Sequence, residues 1–181
     1  MNKGLFLDRD GTLIEDVHYL RDPKDIKTID GVGHAVLEFV KAGFLIFLHT
    51  NQSGIARGYY DWSDVHACNR KMLEMLGLPE DIFKEVCVAP EDHFSPGGYR
   101  KPSPRFQNEM INKYDLEVCE SWMVGDKWID VETGVRAGIK TCLVRSGKTI
   151  DKKMELLASN QGIPIFCHLL EFMNIQFDFK E

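Results

Sequence analysis

The amino-acid sequence predicts an α/β fold, a doubly wound and mostly parallel sheet with helices on both faces. Three observations carry that expectation. Short apolar runs alternate with longer amphipathic stretches along the whole chain, the pattern of right-handed βαβ crossovers. Runs such as "FLIFLHT" are continuously apolar, as strands covered on both faces must be. Polar clusters follow the ends of successive runs, which places them together on one edge of a parallel sheet, where such folds build their sites. A length of 181 residues fits one domain, 1–181, with no large cap domain.

The elements follow in order. "KGLFLD" is the first strand, and after a long loop "GHAVLEFVKAG" has helical spacing and closes at Gly43, a natural C-terminal stop. "FLIFLHT" is the second strand. A helix starts near Ser63, with Ser63 as N-cap, and runs through "VHACNRKMLEMLG". "KEVCVAP" is the third strand, and the Pro/Gly-rich "PEDHFSPGGYRKPSP" separates it from the helix "PRFQNEMINKY". "SWMVGD", the helix "WIDVETGVRAG" and the strand "KTCLVR" come next. The helix "KKMELLASN", the apolar "IPIFC" and a short helical tail complete the chain.

Composition narrows the partners. A net charge of -6 argues against nucleic-acid polymers and anionic membranes, both of which need a basic footprint. No apolar run approaches the roughly 20 residues of a membrane span, and the N-terminus meets charge too early for a secretory signal. The expectation is a cytoplasmic monomer. Five scattered cysteines, without a Cys-x-x-Cys pair, read as free thiols of a reducing compartment.

Four clusters carry the chemistry: "DRDGT" after strand one, "TNQSG" after strand two, "RKP" after the third strand's loop, and "GDKWID" after strand four. Asp8 and Asp10 have the period-two spacing that aims both side chains one way where the backbone stays extended. Like charges held so close resist joint ionisation, so a cation must meet them. Taken alone, Asp-x-Asp-Gly-Thr also describes an Asx-turn, and "TNQSG" a capped polar turn. Their convergence on one sheet edge favours a catalytic site.

Together "FLDRDGTL", "TNQSGIARG", "YRKPSP", "MVGDKWIDVETGVRAG" and "LVRSGK", spanning residues 5–147, resemble the haloacid dehalogenase superfamily of phosphohydrolases. More narrowly they resemble its D-glycero-D-manno-heptose 1,7-bisphosphate phosphatases, with histidinol-phosphate phosphatases as relatives. The resemblance implies an Asp8 nucleophile that forms an aspartyl-phosphate and an Asp10 acid and base. It implies Mg²⁺ held by the Asp8 and Asp126 carboxylates and the Asp10 main-chain carbonyl. Thr50 and the amides of Asn51, Gln52 and Ser53 would donate to the phosphoryl oxygens, and Lys101 would balance the phosphate charge. Arg100 would recognise the remote part of the substrate, with Lys127 and the segment holding Asp16 and Tyr19 also binding it. Asp130 would orient Lys101 or the metal waters, or cap the following helix. Arg57 is expected to anchor a loop, and Trp62, Trp122 and Trp128 to serve packing.

One segment departs from the resemblance. The family's zinc loop uses four ligands between strand three and the Arg-Lys-Pro tripeptide, but here those positions are Cys87, Ala89, Gly97 and Tyr99. A tetrahedral structural site needs four ligands, so no zinc is expected. The loop, braced by Pro90, Pro96 and the paired glycines, must be ordered by packing or stay mobile. The implied activity is removal of the C7 phosphate from heptose 1,7-bisphosphate in nucleotide-activated heptose synthesis. The alternatives are a histidinol-phosphate or other small-metabolite phosphatase, and a receiver-like module that holds phospho-aspartate without turnover.

Overall fold

A computed structural model of the chain describes residues 2–93 and 97–177. Pro96 and the end of the "IQFDFKE" tail lie outside the described residues. Among the described residues six strands form one sheet: β1 (Lys3–Leu7), β2 (Phe44–Asn51), β3 (Phe83–Ala89), β4 (Trp122–Gly125), β5 (Lys140–Val144) and β6 (Ile165–Phe166). Their spatial order is β3-β2-β1-β4-β5-β6, and every pairing is parallel. The chain winds outward from β1 to β3, returns to β4 beside β1, and winds outward again. The strand order therefore reverses between β1 and β4, the point at which a doubly wound sheet opens a crevice.

The helices are α1 (Val32–Lys41), α2 (Trp62–Leu76), α3 (Arg105–Tyr114), α4 (Trp128–Ala137), α5 (Lys152–Asn160) and α6 (Leu169–Gln176). Side-chain alternation along the strands sorts them onto two faces. Leu5, Leu7, Ile46, Leu48 and Val124 pack under α1, α2 and α6, where Phe39 and Phe172 fill the core. Phe6, Phe47 and Met123 point the other way against Phe106 and Met110 of α3. Phe6 stacks on Phe47 with centroids 4.7 Å apart and meets the edge of Phe106. Truncating so buried a ring costs about 3–5 kcal/mol, so Phe6→Ala would break this layer.

Local capping explains where the helices begin and end. Gly43, at φ 85, follows the last turn of α1 in the left-handed conformation that lets the chain turn back into β2. The expected N-cap of α2 is corrected: Asp61 fills it, accepting from the Ser63 and Asp64 amides, and Asp64 returns the bond to Asp61 N–H. A carboxylate there complements the helix dipole as well as the amides, and outcompetes the Ser63 hydroxyl. Trp62, at the first position of α2, is 45% exposed, so it does not serve the core, whereas Trp122 and Trp128 pack against core clusters. Among the described residues no helix is long and apolar enough to cross a membrane.

Candidate active site

The carboxyl ends of β1, β2 and β4 bring the polar clusters around a pocket of about 250 Å³. Asp8 directly follows β1, and its N–H continues the ladder by donating to Val124 O of β4 at 3.0 Å. Its Oδ1 accepts from Arg9 N–H at 2.8 Å and lies 2.9 Å from the Lys101 ammonium. Burial alone would raise the Asp8 pKa. Lys101 and Lys127 outweigh that and hold the carboxyl below its usual range.

Lys101 is fully buried between two acids, donating to Asp130 Oδ1 at 2.6 Å and facing Asp8. Burial opposes its charge, but Asp130 and Asp8 prevail and raise its pKa, so it stays an ammonium. Asp130 performs two of its three expected tasks. It holds Lys101 through Oδ1, and its Oδ2 accepts the Lys127 N–H at 3.1 Å to cap α4. Lys101 is itself bracketed by Asn51, whose side chain accepts from Lys101 N–H at 2.9 Å and donates to Lys101 O at 3.2 Å.

Asp10 is turned by several donors. Gln52 Nε2 donates to its Oδ2 at 2.9 Å and the Thr50 hydroxyl at 3.4 Å, while Arg9 spans both oxygens at 3.1–3.3 Å. The expectation for the "TNQS" amides is corrected at one position: Gln52 N–H donates to Ala89 O at 2.7 Å and so belongs to the sheet edge. Ser53 lines the pocket with Asn51.

Asp126 follows β4 against backbone, in a space only glycines leave open. A Cβ on Gly11 would sit 2.3 Å from its Oδ2, and one on Gly147 2.2 Å away. Lys148 N–H donates to that same oxygen at 2.7 Å, which aims Oδ1 into the site. There Lys127 Nζ lies 3.1 Å from Asp126 Oδ1 and 3.4 Å from Asp10 O. Burial and the neighbouring Asp8 charge push the Asp126 pKa up. A cation is thus already drawn to the oxygens of Asp126 and Asp10, beside Asp8. This all-oxygen donor set fits a hard divalent ion. Asp8, Asp126 and Asp130 bring carboxylate oxygens within 4.8 Å of one another; Asp130 is held by Lys101 and the α4 cap, whereas among the described residues Asp126 Oδ1 meets only the Lys127 ammonium.

The rim is built by loops. Asp16 pairs with Lys127 at 3.4 Å and Lys148 at 3.1 Å. Tyr19, at φ 53, adopts a left-handed backbone that costs a tyrosine roughly 1–2 kcal/mol. Its ring meets Tyr59, and its hydroxyl accepts from Arg57 at 2.7 Å, so Arg57 does anchor a loop. Arg100 lines the pocket while donating to Glu91 O at 2.9 Å.

The expected zinc positions offer one thiol. Cys87 is buried in β3, and burial pushes its pKa up to about 12, while the Tyr99 hydroxyl donates to Glu109. These groups do not fit a structural zinc. Residues 97–103 are ordered by hydrogen bonds instead. His49 Nε2 donates to Tyr99 O at 2.8 Å, Tyr99 N–H to Glu91 at 3.1 Å, and Ser103 to Gly98 O at 2.7 Å. Gln107 donates to the other nitrogen of His49 at 2.9 Å, which fixes the tautomer. Burial and the Lys101 charge hold His49 neutral, with its pKa lowered to about 3.

Sequence reasoning missed Arg9, His49, Tyr60 and Lys148. Arg9 lies inside "DRD" and Lys148 inside "LVRSGK", so both stood within recognised motifs. His49 had a weaker signal, as one titratable residue in an otherwise apolar strand. Tyr60 had none.

Comparison with known proteins gives the family. A family model described as polynucleotide kinase 3 phosphatase matches residues 4–128, and a HAD-hydrolase-like model matches residues 98–171. The D-glycero-D-manno-heptose-1,7-bisphosphate 7-phosphatase of Chlorobaculum tepidum is 39% identical over 80% of this chain and 79% of its own length. The D-glycero-beta-D-manno-heptose-1,7-bisphosphate 7-phosphatase of Haemophilus influenzae is 36% identical over 87% and 90%. In structure, the D,D-heptose 1,7-bisphosphate phosphatase of B. bronchiseptica, solved with magnesium and phosphate, superposes with a TM-score of 0.83. It is 23% identical, covering 98% of this chain and 99% of its own.

Proposed function

Because this chain belongs to the heptose-1,7-bisphosphate 7-phosphatase family of HAD-like hydrolases, we propose that it removes the C7 phosphate of heptose 1,7-bisphosphate in nucleotide-activated heptose synthesis. The observation that carries the chemistry is the buried contact between Asp8 and Lys101, 2.9 Å apart at the end of β1. A nucleophilic carboxylate must stay ionised away from water, and the lysine keeps it so. The free thiols of all five cysteines suit the reducing cytoplasm, where we place the reaction.

Arg9 N–H and Lys101 hold Asp8 Oδ1, which leaves Oδ2 to attack phosphorus. The P–O bond to C7 breaks as the bond to Asp8 forms, and Asp10 gives its proton to the departing alkoxide. Asp10 then takes a proton from the water that attacks the aspartyl-phosphate and frees inorganic phosphate. Asn51 and Ser53 line the pocket where the phosphoryl oxygens would sit, and Thr50, buried behind them with its hydroxyl toward Asp10, would donate to the same oxygens. Lys101 stays an ammonium throughout, so the phosphate charge is opposed without a proton leaving the site. Among the described residues the ion-paired cluster joins five carboxylates to four cations; with Asp10 protonated as the acid the charges balance, so a dianionic phosphate needs a further positive ion. Mg²⁺ on the Asp8 and Asp126 carboxylates and Asp10 O would supply that charge and polarise the phosphoryl group.

Arg100, Lys127, Lys148 and the Asp16–Tyr19 loop form the rim that would receive the sugar and its second phosphate, guanidinium and ammonium groups being suited to that anion. The loss of three of the four ligand positions supports the reading that the enzyme works without zinc, and we propose that it acts as a monomer. Phosphate release from heptose 1,7-bisphosphate with Mg²⁺ tests the reading, alongside histidinol phosphate and 3′-phosphorylated oligonucleotide. We expect kcat/KM at least about 10²-fold higher for the heptose, loss of turnover on chelating Mg²⁺, and turnover reduced at least about 10³-fold by Asp8→Asn. A preference for oligonucleotide ends would transfer the substrate to nucleic acid. Persistent activity in Asp8→Asn would remove the nucleophile.

A further inference from the structure

We propose that Asn69, on α2, is a positioning residue for the Asp10 carboxylate and acts on it through the guanidinium of Arg9; this rests on Asp10 being the acid and base described above. Arg9 stands between the two catalytic aspartates and lines the pocket, yet its side chain is only 1% exposed and its guanidinium is engaged by protein acceptors. Its Nε and Nη2 donate to Asp10, and its remaining arm, Nη1, donates to Asn69 Oδ1 at 3.0 Å. A guanidinium is a rigid plane with its donors in a fixed fork, so fixing one arm fixes the direction of the others.

Asp10 needs such guidance because the strand has ended. Gly11 follows it at φ 88, and the backbone no longer dictates where the carboxylate faces. Two arms hold it. One is Gln52, which donates to Asp10 Oδ2 at 2.9 Å and is itself oriented by the Tyr60 hydroxyl, donating to Gln52 Oε1 at 2.7 Å. The other is Arg9. Among the described residues the only hydrogen bonds to Asp10 Oδ1 come from Arg9, so that oxygen is placed by the Arg9–Asn69 arm alone. The arginine stem carries several free torsions, and Asn69, half-buried on a neighbouring helix, is the point at which its head is attached to the scaffold.

A purely structural buried arginine and a positioning one differ in what they do to the leaving group. Loss of fold support lowers turnover of every ester alike. Loss of alignment of the proton donor matters most where the leaving oxygen is basic and least where it departs unaided.

The test is kcat/KM for the full-length enzyme with Mg²⁺ over a series of phosphate monoesters, from p-nitrophenyl to simple alkyl. Asn69→Leu should lose about 10- to 100-fold on alkyl phosphates and less than about threefold on p-nitrophenyl phosphate, since small misplacements of a catalytic group have effects of that size. Asn69→Asp, which keeps an acceptor at the same reach, should recover to within about threefold on the alkyl esters. Asn69→Ala should show the same leaning and serves if the leucine variant does not fold. An equal loss on every ester, no loss, or a failure of Asn69→Asp to recover overturns the proposal. Asp10→Asn runs beside them. If it retains alkyl phosphate turnover, the acid–base assignment itself falls; if it is inactive while Asn69→Leu matches wild type, only the positioning role falls.

Discussion

The floor and the rim of the pocket use the same residue types and hold them differently. On the floor, Asp8, Lys101, Asp126 and Asp130 have side chains no more than 7% exposed, with Asp8 and Asp126 directly after β1 and β4, Asp130 in the first turn of α4 and Lys101 buried between Asp8 and Asp130. On the rim, Asp16, Lys127 and Lys148 are 17%, 31% and 60% exposed and sit on loops. A buried ion pair broken on one side leaves an uncompensated charge, whereas an exposed pair is shared with water and contributes about 1 kcal/mol or less. Reaction chemistry is therefore tied to the stability of the sheet edge, and substrate choice is not. Floor substitutions should move turnover and stability together, while substitutions of the outer rim, such as Lys148 or the Tyr19–Arg57 contact, should move substrate affinity alone; Lys127, which touches Asp126 as well as Asp16, joins the two regions.

The largest effect is expected at Lys101. Lys101→Met keeps the volume of the stem and strands Asp8 and Asp130 without their counter-charge, which should cost about 3–5 kcal/mol of stability. Both a lowered melting temperature and the loss of phosphate release should follow. A stable but inactive Lys101→Met would break the link between floor and fold.

His49 sharpens the same contrast through pH. Its folded pKa of about 3 lies below the ordinary 6.5, so between those values the unfolded chain binds a proton that the folded one refuses. Stability from this residue is then present above pH 6.5 and lost as the pH falls toward 3, with a slope approaching about 1.4 kcal/mol per pH unit. In His49→Gln, which can still donate to Tyr99 O, denaturant unfolding between pH 4 and 6.5 should show a correspondingly flatter dependence. An unchanged slope would mean that His49 is already protonated in the fold.

How much of this was readable beforehand follows from the same physics. Strands covered on both faces leave continuous apolar runs, and the residues that end them must lie on one edge, so Asp8, Thr50, Lys101 and Asp126 could be gathered from sequence. The partners that position them could not. Arg9 reaches Asn69, 60 positions further along the chain, and His49 reaches Tyr99, 50 positions away; no period connects such pairs. The Gln52 amide was misassigned because sequence does not show that Ala89, at the end of β3, accepts its N–H. In "DWS" a carboxylate and a hydroxyl cap stand two residues apart, and only the fold chooses Asp61 over Ser63.

The smallest effect is expected at the Tyr19–Arg57 contact, the clearest test of the rim. Tyr19 holds a strained backbone at φ 53, and its exposed bond to Arg57 joins the loop after β1 to the loop after β2. Tyr19→Phe removes only the acceptor, worth about 0.5–1.5 kcal/mol where it is made. KM for the phosphorylated substrate should rise by about two- to tenfold with kcat unchanged, the signature of binding lost equally from ground and transition states. Arg57→Ala should give the same change, and the double variant no more than either alone, because the two share one bond. A fall in kcat would place the strained tyrosine on the floor side of the comparison, with its loop conformation transmitted to Asp16 and Lys127 rather than confined to the mouth of the pocket.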